Sequence, residues 1–189
     1  IKGSPKMRVF SSLSGIQEFM EGLGQSVIKP DGLTGGKGVR VQGEHYATIK
    51  EGLSYCAELI SEKQTIVIEE KLEGEEFSLM SITDGKHLID CPVVQDHKRA
   101  HNGDSGPNTG GMGSYSDANH SLPFLTPADI KAAHAITDDV RAALKKELGE
   151  KYKGVMYGGF MATKDGVKLI EYNARFGDPE AMNVLPLLE

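Results

Sequence analysis

A chain of 189 residues and 20.4 kDa has room for one domain or two small, closely joined lobes. Its 39 % hydrophobic and 25 % charged residues suffice for a real core, which excludes disorder and collagen-like repeats. With 21 Lys and Arg against 27 Asp and Glu the net charge is −6, so a polyanion is not held by bulk charge and any basic chemistry has to be local.

The first element is a short strand at 7–10. Ser14 then reads as the N-cap of a helix, with Gln17 completing a capping box. Ile16, Phe19, Met20 and Leu23 form its buried stripe, and Gly24 ends it. Ser26 to Lys29 is a strand that runs into a glycine loop, and Val39 to Val41 is the returning strand. Ile49, Leu53, Ala57 and Ile60 mark a second amphipathic helix over about 45–62. Apolar β-branched runs predict strands at 65–69, 77–82, 87–90 and 91–95.

Residues 97–125 are polar and glycine-rich, and a loop that long inside a compact domain is usually functional or disordered. Thr126, Pro127 and Asp129 occupy the N-cap, N1 and N3 positions of a helix whose apolar face is Ile130, Ala133, Ile136, Val140, Leu144 and Leu148. Strands at about 155–163 and 167–173 follow, joined by Asp165-Gly166, and Pro179 opens a last helix. The pattern is α+β with largely antiparallel sheets. Cys56 and Cys91, both in apolar runs, are too few for a disulfide framework or a zinc site and read as buried thiols. No apolar run approaches the ~20 residues of a membrane helix, and there is no signal-peptide pattern. The chain lacks an initiator Met and stops within an apolar run, so a fragment of a longer protein is expected.

Twelve of the 23 glycines fall in three short stretches, the first of which is flanked by two lysines: Lys29-Pro-Asp-Gly32-Leu-Thr-Gly35-Gly36-Lys37-Gly38. Backbone N–H groups of such a loop can point into one concavity while ammonium groups neutralise phosphate. It is neither a Walker loop nor a dinucleotide fingerprint, and an ordinary glycine hairpin fits the same residues. Glu69-Glu-Lys-Leu-Glu-Gly-Glu-Glu76 places five acids in eight residues between two apolar strands. It is either a solvated acidic turn or a hinge whose backbone pairs with adenine and whose carboxylate takes ribose hydroxyls.

Ile170-Glu-Tyr-Asn-Ala-Arg175-Phe-Gly-Asp-Pro-Glu180 is the third motif. Strand alternation puts Glu171, Asn173 and Arg175 on one side if the strand reaches that far. Carboxylate and amide oxygens suit Mg²⁺, and a guanidinium suits a phosphoryl group; a polar edge strand is the alternative. In Gln95-Asp-His-Lys-Arg99, running into Asn108-Thr-Gly-Gly111-Met-Gly113, Lys98 and Arg99 supply local positive charge. His97 reads as a hydrogen-bonding loop residue, and His134 is given no role. No Ser-His-Asp or Cys-His nucleophile set is present.

These motifs, in this order, resemble the ATP-grasp ligases, and most closely the phosphoribosylamine–glycine ligase family. The resemblance runs from about Met7 to Glu189 and covers only the middle of that family's architecture. It implies two α+β lobes with mainly antiparallel sheets sandwiching the nucleotide, a small ATP-binding lobe at about 7–82 and a larger lobe with a metal site at about 83–189. It further implies joining of glycine to 5-phosphoribosylamine through glycyl phosphate, with ATP and Mg²⁺ or Mn²⁺ required. By the same resemblance Lys29 and Lys37 contact phosphates, Glu69, Glu70, Lys71 and Leu72 frame adenine, and Glu76 takes the ribose. Arg99 and Asn108 also reach the nucleotide, Glu171 and Asn173 hold the metal, and Arg175 steadies the transferring phosphate as the catalytic residue. The partners implied are small molecules, not nucleic acid or membrane, for a cytoplasmic monomer. Two departures stand out: Gly158 to Ala162 carries no extra acidic metal ligand, and Met182 stands where an acid or amide is expected. A different ATP-grasp ligase and a non-catalytic nucleotide-binding module are the rival readings.

Overall fold

The computed structural model describes residues 1–32, 38–103 and 105–188. The chain divides into two compact units, Pro5–Leu72 and Ile1–Ser4 with Glu73–Glu189.

The unit Pro5–Leu72 is built from β1 (Met7–Phe10), α1 (Ile16–Leu23), β2 (Ser26–Pro30), β3 (Arg40–Val41), α2 (Ile49–Ser61) and β4 (Ile66–Glu70). Its strands form an antiparallel sheet of order β1-β4-β2-β3. Alternation sorts the two faces: Ile28, Ile66 and Ile68 are fully buried against Ile16, Met20, Cys56 and Leu59 of the helices. Val27, Lys29, Val67 and Glu69 occupy the opposite face, on which Met7 and Val9 are about half exposed. α2 is held at its start by a capping box, with the Thr48 hydroxyl accepting from the Glu51 N–H and the Glu51 carboxylate accepting from the Thr48 N–H. α1 is not capped by Ser14. Gly15 is the N-cap in a left-handed conformation, φ 77°, without a side-chain cap, and Gln17 donates instead to Glu21 Oε1 at 2.9 Å.

The larger unit contains β5 (Gly74–Thr83), β6 (Leu88–Asp90), β7 (Gln95–Asp96), β8 (Arg99–His101), β9 (Ser105–Asn108), β10 (Ser114–Tyr115), α3 (Pro127–Leu148), β11 (Gly154–Thr163), β12 (Gly166–Asn173) and α4 (Ala181–Val184). β5 pairs residue for residue with β11 from Gly74 to Thr83, so all of it belongs to this unit. The central sheet, order β12-β11-β5-β6, is antiparallel. The strand expected at 91–95 is reduced to a bridge between Ser78 and Val94 followed by the two-residue β7. The expected loop 97–125 contains the pair β8–β9 and the strand β10, which pairs with β7 just before it.

One face of this sheet carries Phe77, Leu79, Phe160 and Val167, packed on Ala133 and Ile136 of α3. Thr126 and Asp129 cap α3 reciprocally, with Pro127 at N1, as read from the sequence. The other face carries Glu76, Ser78, Met80, Tyr157, Gly159, Glu171 and Asn173, matched in register across β5, β11 and β12. The two faces are kept distinct by a bulge. Gly159 pairs with Glu171 but Phe160 pairs with Leu169, so Ile170 is the extra residue. Gly3, at the chain start, belongs to this unit, since its carbonyl accepts from the Leu169 N–H at 2.9 Å.

Cys56 and Cys91 are free and buried. Among the described residues, no helix is long and apolar enough to cross a membrane. Phe160 has no exposed surface, stacks on Phe77 at 5.5 Å and meets Tyr172 edge-on at 6.1 Å. Phe160→Ala is therefore expected to cost about 3–5 kcal/mol of stability in denaturant unfolding, through lost burial and a residual cavity.

Candidate functional site

In the unit Pro5–Leu72, Lys29 and Glu69 share the sheet face opposite the helices, and Lys29 Nζ meets Glu69 Oε2 at 2.8 Å. Glu70 Oε1 accepts from the Lys6 N–H at 2.9 Å. Lys71 Nζ donates to the Gln42 carbonyl at 3.0 Å, and the Lys71 N–H donates to the Gln25 carbonyl at 3.0 Å. The acidic stretch therefore leaves β4 with Glu70 and Lys71 tied to their own unit, and Leu72 follows partly buried. Lys37 and most of the glycine loop lie outside the described residues.

In the larger unit, the sheet face away from α3 gathers most of the remaining predicted residues. Glu171 and Asn173 project together, and Asn173 Nδ2 donates to Glu171 Oε1 at 3.2 Å. This is the alternation expected of the strand. Arg175 is not part of it, because β12 ends at Asn173 and the chain turns. Its guanidinium is brought to the same face differently: Arg175 Nη1 donates to the Phe176 carbonyl at 2.9 Å, and the guanidinium carbon lies 5.9 Å from the Tyr157 ring centroid.

Glu76, on the same face, is ion-paired through Oε1 with Lys98 Nζ. Burial alone would lower the Lys98 pKa, but Glu76, Asp96 and Glu171 outweigh it and raise it, so the ammonium stays charged. Arg99 and Asn108 face each other across the β8–β9 pair, with Arg99 Nη1 donating to the Gly106 carbonyl at 3.1 Å. Arg99 opens on a cavity of about 290 Å³ also lined by His97, His101 and Met112. The His97 ring stacks on Tyr115 at 5.6 Å, consistent with a loop residue that packs. His134, given no role from sequence, binds Asp90 Oδ2 at 2.7 Å through Nδ1, while Ser81 donates to Asp90 Oδ1 at 2.7 Å.

Sequence reasoning missed the layer beneath. Tyr157 Oη donates to Glu180 Oε1 at 2.6 Å, and Glu180 is only 1 % exposed. Asp96 Oδ1 is buried without a hydrogen-bond partner. Gly111, φ 118°, lies beside it, and a Cβ there would sit 3.2 Å from that oxygen and 2.6 Å from Pro179 Cδ. Buried tyrosines and carboxylates have no signature of their own in a sequence, whereas the Gly-Asp-Pro-Glu run at least flagged Glu180.

Among the described residues no group of three or more His, Cys, Asp or Glu could hold a metal ion. A divalent cation would have to rest on the Glu171 carboxylate and the Asn173 amide oxygen, a hard-oxygen pair that suits Mg²⁺ or Mn²⁺ completed by phosphate oxygens and water. The residues present fit such an ion.

Residues 1–181 match the phosphoribosylglycinamide synthetase ATP-grasp (A) domain family. The chain is 52 % identical over its full length to a phosphoribosylamine–glycine ligase of Methanosarcina barkeri and 53 % identical to one of Methanothermobacter thermautotrophicus. It spans 43 % and 44 % of those proteins, less than half of either. The crystal structure of a phosphoribosylamine–glycine ligase from Thermotoga maritima superposes with a TM-score of 0.80 at 36 % identity, over 97 % of this chain and 46 % of that one.

Burial, with the Glu180 carboxylate adding to it and Lys98 opposing, pushes the Asp96 carboxyl up to about 6. A folded pKa above the unfolded value of about 3.9 means that stability is present below about pH 4 and lost as pH rises to about 6. Asp96→Asn is thus expected to raise the thermal midpoint near pH 8, with the gain fading by about pH 4, as read by thermal unfolding across pH.

Proposed function

Because the chain belongs to the phosphoribosylglycinamide synthetase ATP-grasp (A) domain family, we propose that it is the nucleotide- and metal-binding part of a phosphoribosylamine–glycine ligase. The reaction is ATP + glycine + 5-phosphoribosylamine → ADP + phosphate + glycinamide ribonucleotide. The observation that carries the reading is the convergence, on one sheet face of the larger unit, of the Glu171–Asn173 oxygen pair, the Glu76–Lys98 ion pair and Arg175. The identity of about 50 % to proteins of that name supports the choice of substrates.

In this reading a glycine carboxylate oxygen attacks the γ-phosphorus of ATP, the bond to the β-phosphate oxygen breaks, and ADP leaves. The amine of phosphoribosylamine then attacks the carbonyl carbon of glycyl phosphate. Inorganic phosphate leaves and the nitrogen gives up a proton. Neither step needs a side-chain nucleophile; both need positioning and charge neutralisation. Arg175 serves the transferring phosphoryl group: one of its five N–H groups is committed to the Phe176 carbonyl, and a planar guanidinium can use the rest on phosphate oxygens.

Glu171 and Asn173 would hold Mg²⁺ or Mn²⁺, which when bound neutralises phosphate charge. Glu76 keeps Oε2 for ribose hydroxyls while Lys98 compensates its charge at Oε1. Arg99 and Asn108, opposite each other on the hairpin, contact the nucleotide. Lys29 takes the α- and β-phosphates, a contact that exchanges its Glu69 partner for phosphate. The backbone from Glu69 through Leu72 frames adenine, with the Glu70 and Lys71 side chains bracing it from behind. Lys37 is assigned to phosphate from the sequence. The partners are small molecules, and the reading places a monomer in the cytoplasm.

The test is ADP release by the complete protein with an amino-acid panel and phosphoribosylamine. Glycine-dependent turnover is expected, and equal rates with D-alanine would overturn the assignment. In the same assay Glu171→Gln and Asn173→Ala are each expected to lower turnover about 100-fold or more, beyond the usual 10–100-fold of outer-shell partners. Their thermal midpoints should stay close to that of the unmodified protein, because both side chains lie at the surface of the sheet face.

A further inference from the structure

Arg175 has to present its guanidinium to a phosphate, yet it sits past the end of β12 in an irregular segment. A long side chain on a turn carries about 2 kcal/mol of rotamer entropy, so something must hold it. Two contacts do so among the described residues: the hydrogen bond to the Phe176 carbonyl and the Tyr157 ring. They differ in kind. The hydrogen bond consumes a donor, whereas the ring fixes the guanidinium over its π face and consumes none.

The ring is itself immobilised from behind. Tyr157 is 7 % exposed, and its hydroxyl donates to Glu180 at 2.6 Å inside a buried layer with Met80, Cys91, Val94 and Val184. Gly177 closes over this bond so tightly that a Cβ would lie 2.5 Å from Glu180 Oε2 and 2.6 Å from Tyr157 Cε2. A phenol that donates to a buried carboxylate gains electron density on its ring, which strengthens the attraction for a cation above it. Burial first, then the hydrogen bond to Glu180 and the charges of Glu180, Glu76 and Asp96, hold the Tyr157 hydroxyl protonated, so the donor stays in place.

We propose that Tyr157, anchored by Glu180, is a positioning residue that aims the Arg175 guanidinium while leaving its remaining donors for the transferring phosphate. The proposal rests on the assignment of Arg175 to that phosphate. It also gives the Arg-Phe-Gly-Asp-Pro-Glu run a physical reason to be one unit: its first residue is the cation, its glycine makes room, and its last residue anchors the ring.

The test is a double-mutant cycle in the complete protein, read as kcat and as KM for ATP. Tyr157→Leu removes ring and anchor, and is expected to lower kcat about tenfold or more, the weight of one desolvated cation–π contact, with KM for ATP within about twofold. Tyr157→Phe keeps the ring but breaks its bond to Glu180, and is expected to lose clearly less than Tyr157→Leu; Glu180→Gln keeps an acceptor for the hydroxyl and is expected to retain most of the activity. Combined with Arg175→Ala, Tyr157→Leu should cause no further loss, since the ring then has nothing to aim.

Losses that multiply in the double variant, or a Tyr157→Leu effect on KM equal to that on kcat, would overturn the positioning role. So would a Tyr157→Phe variant as impaired as Tyr157→Leu. An Arg175→Ala enzyme with the unmodified rate would instead overturn the phosphate assignment beneath it. If Tyr157→Leu does not fold, Glu180→Ala with Arg175→Ala makes the same cycle with the ring kept: a non-additive loss supports the anchor and an additive one overturns it.

Discussion

The bulge opposite Gly159 and Phe160 decides what the larger unit can be used for. In a strand without it, Leu169 and Glu171 would share a face, and burying one would bury the other. With Ile170 as the extra residue, Leu169 packs toward α3 and Glu171 projects from the opposite side with Asn173. One sheet can then be an ordinary apolar core on one side and a polar surface on the other. The placing of Glu171 and Asn173 on the face of Glu76 depends on that separation, while Phe77 stacks on Phe160 behind it across the unbroken β5–β11 ladder.

The polar side is held together by charge that is only partly compensated. Lys98 answers Glu76 directly and feels Asp96 and Glu171 as well. Asp96 keeps one oxygen buried and unbonded, and Glu180 is buried behind Tyr157. Acids exceed bases here, as they do in the whole chain. Cationic side chains are placed singly, Lys98 by ion pairing and Arg175 by an aromatic ring, so each has a defined direction.

Much of this was readable from the sequence where the signal is local. The Thr126-Pro127-Asp129 cap, the strand at 7–10 and the shared face of Glu171 and Asn173 follow from neighbouring residues alone. Ser14 failed as a cap because the left-handed Gly15 takes that position, a backbone choice no side-chain pattern announces. Arg175 reaches its face through Tyr157, 18 positions earlier, and the His134–Asp90 contact spans 44 positions. The short strands within 97–125 are two to four residues long and show no alternation to read. A bulge is likewise silent, since Leu169-Ile170-Glu171 looks like any alternating strand until its partner is known.

The contact between Gly3 and Leu169 has a consequence for how the chain folds. Residues Ile1–Ser4 belong to the larger unit, so the 68 residues of Pro5–Leu72 form an insertion leaving it and returning to it. Closing so long a loop costs the larger unit about 4 kcal/mol if the insertion is unfolded, from the logarithmic dependence on loop length. Pairing of β1 with β4 brings the two ends of the insertion together: Met7 opposes Glu69, and Lys6 and Glu70 bond through both backbone and side chain. A folded insertion thus presents its host with a short loop instead of a long one. The smaller unit acts on the larger one as an entropic clasp through chain connectivity alone.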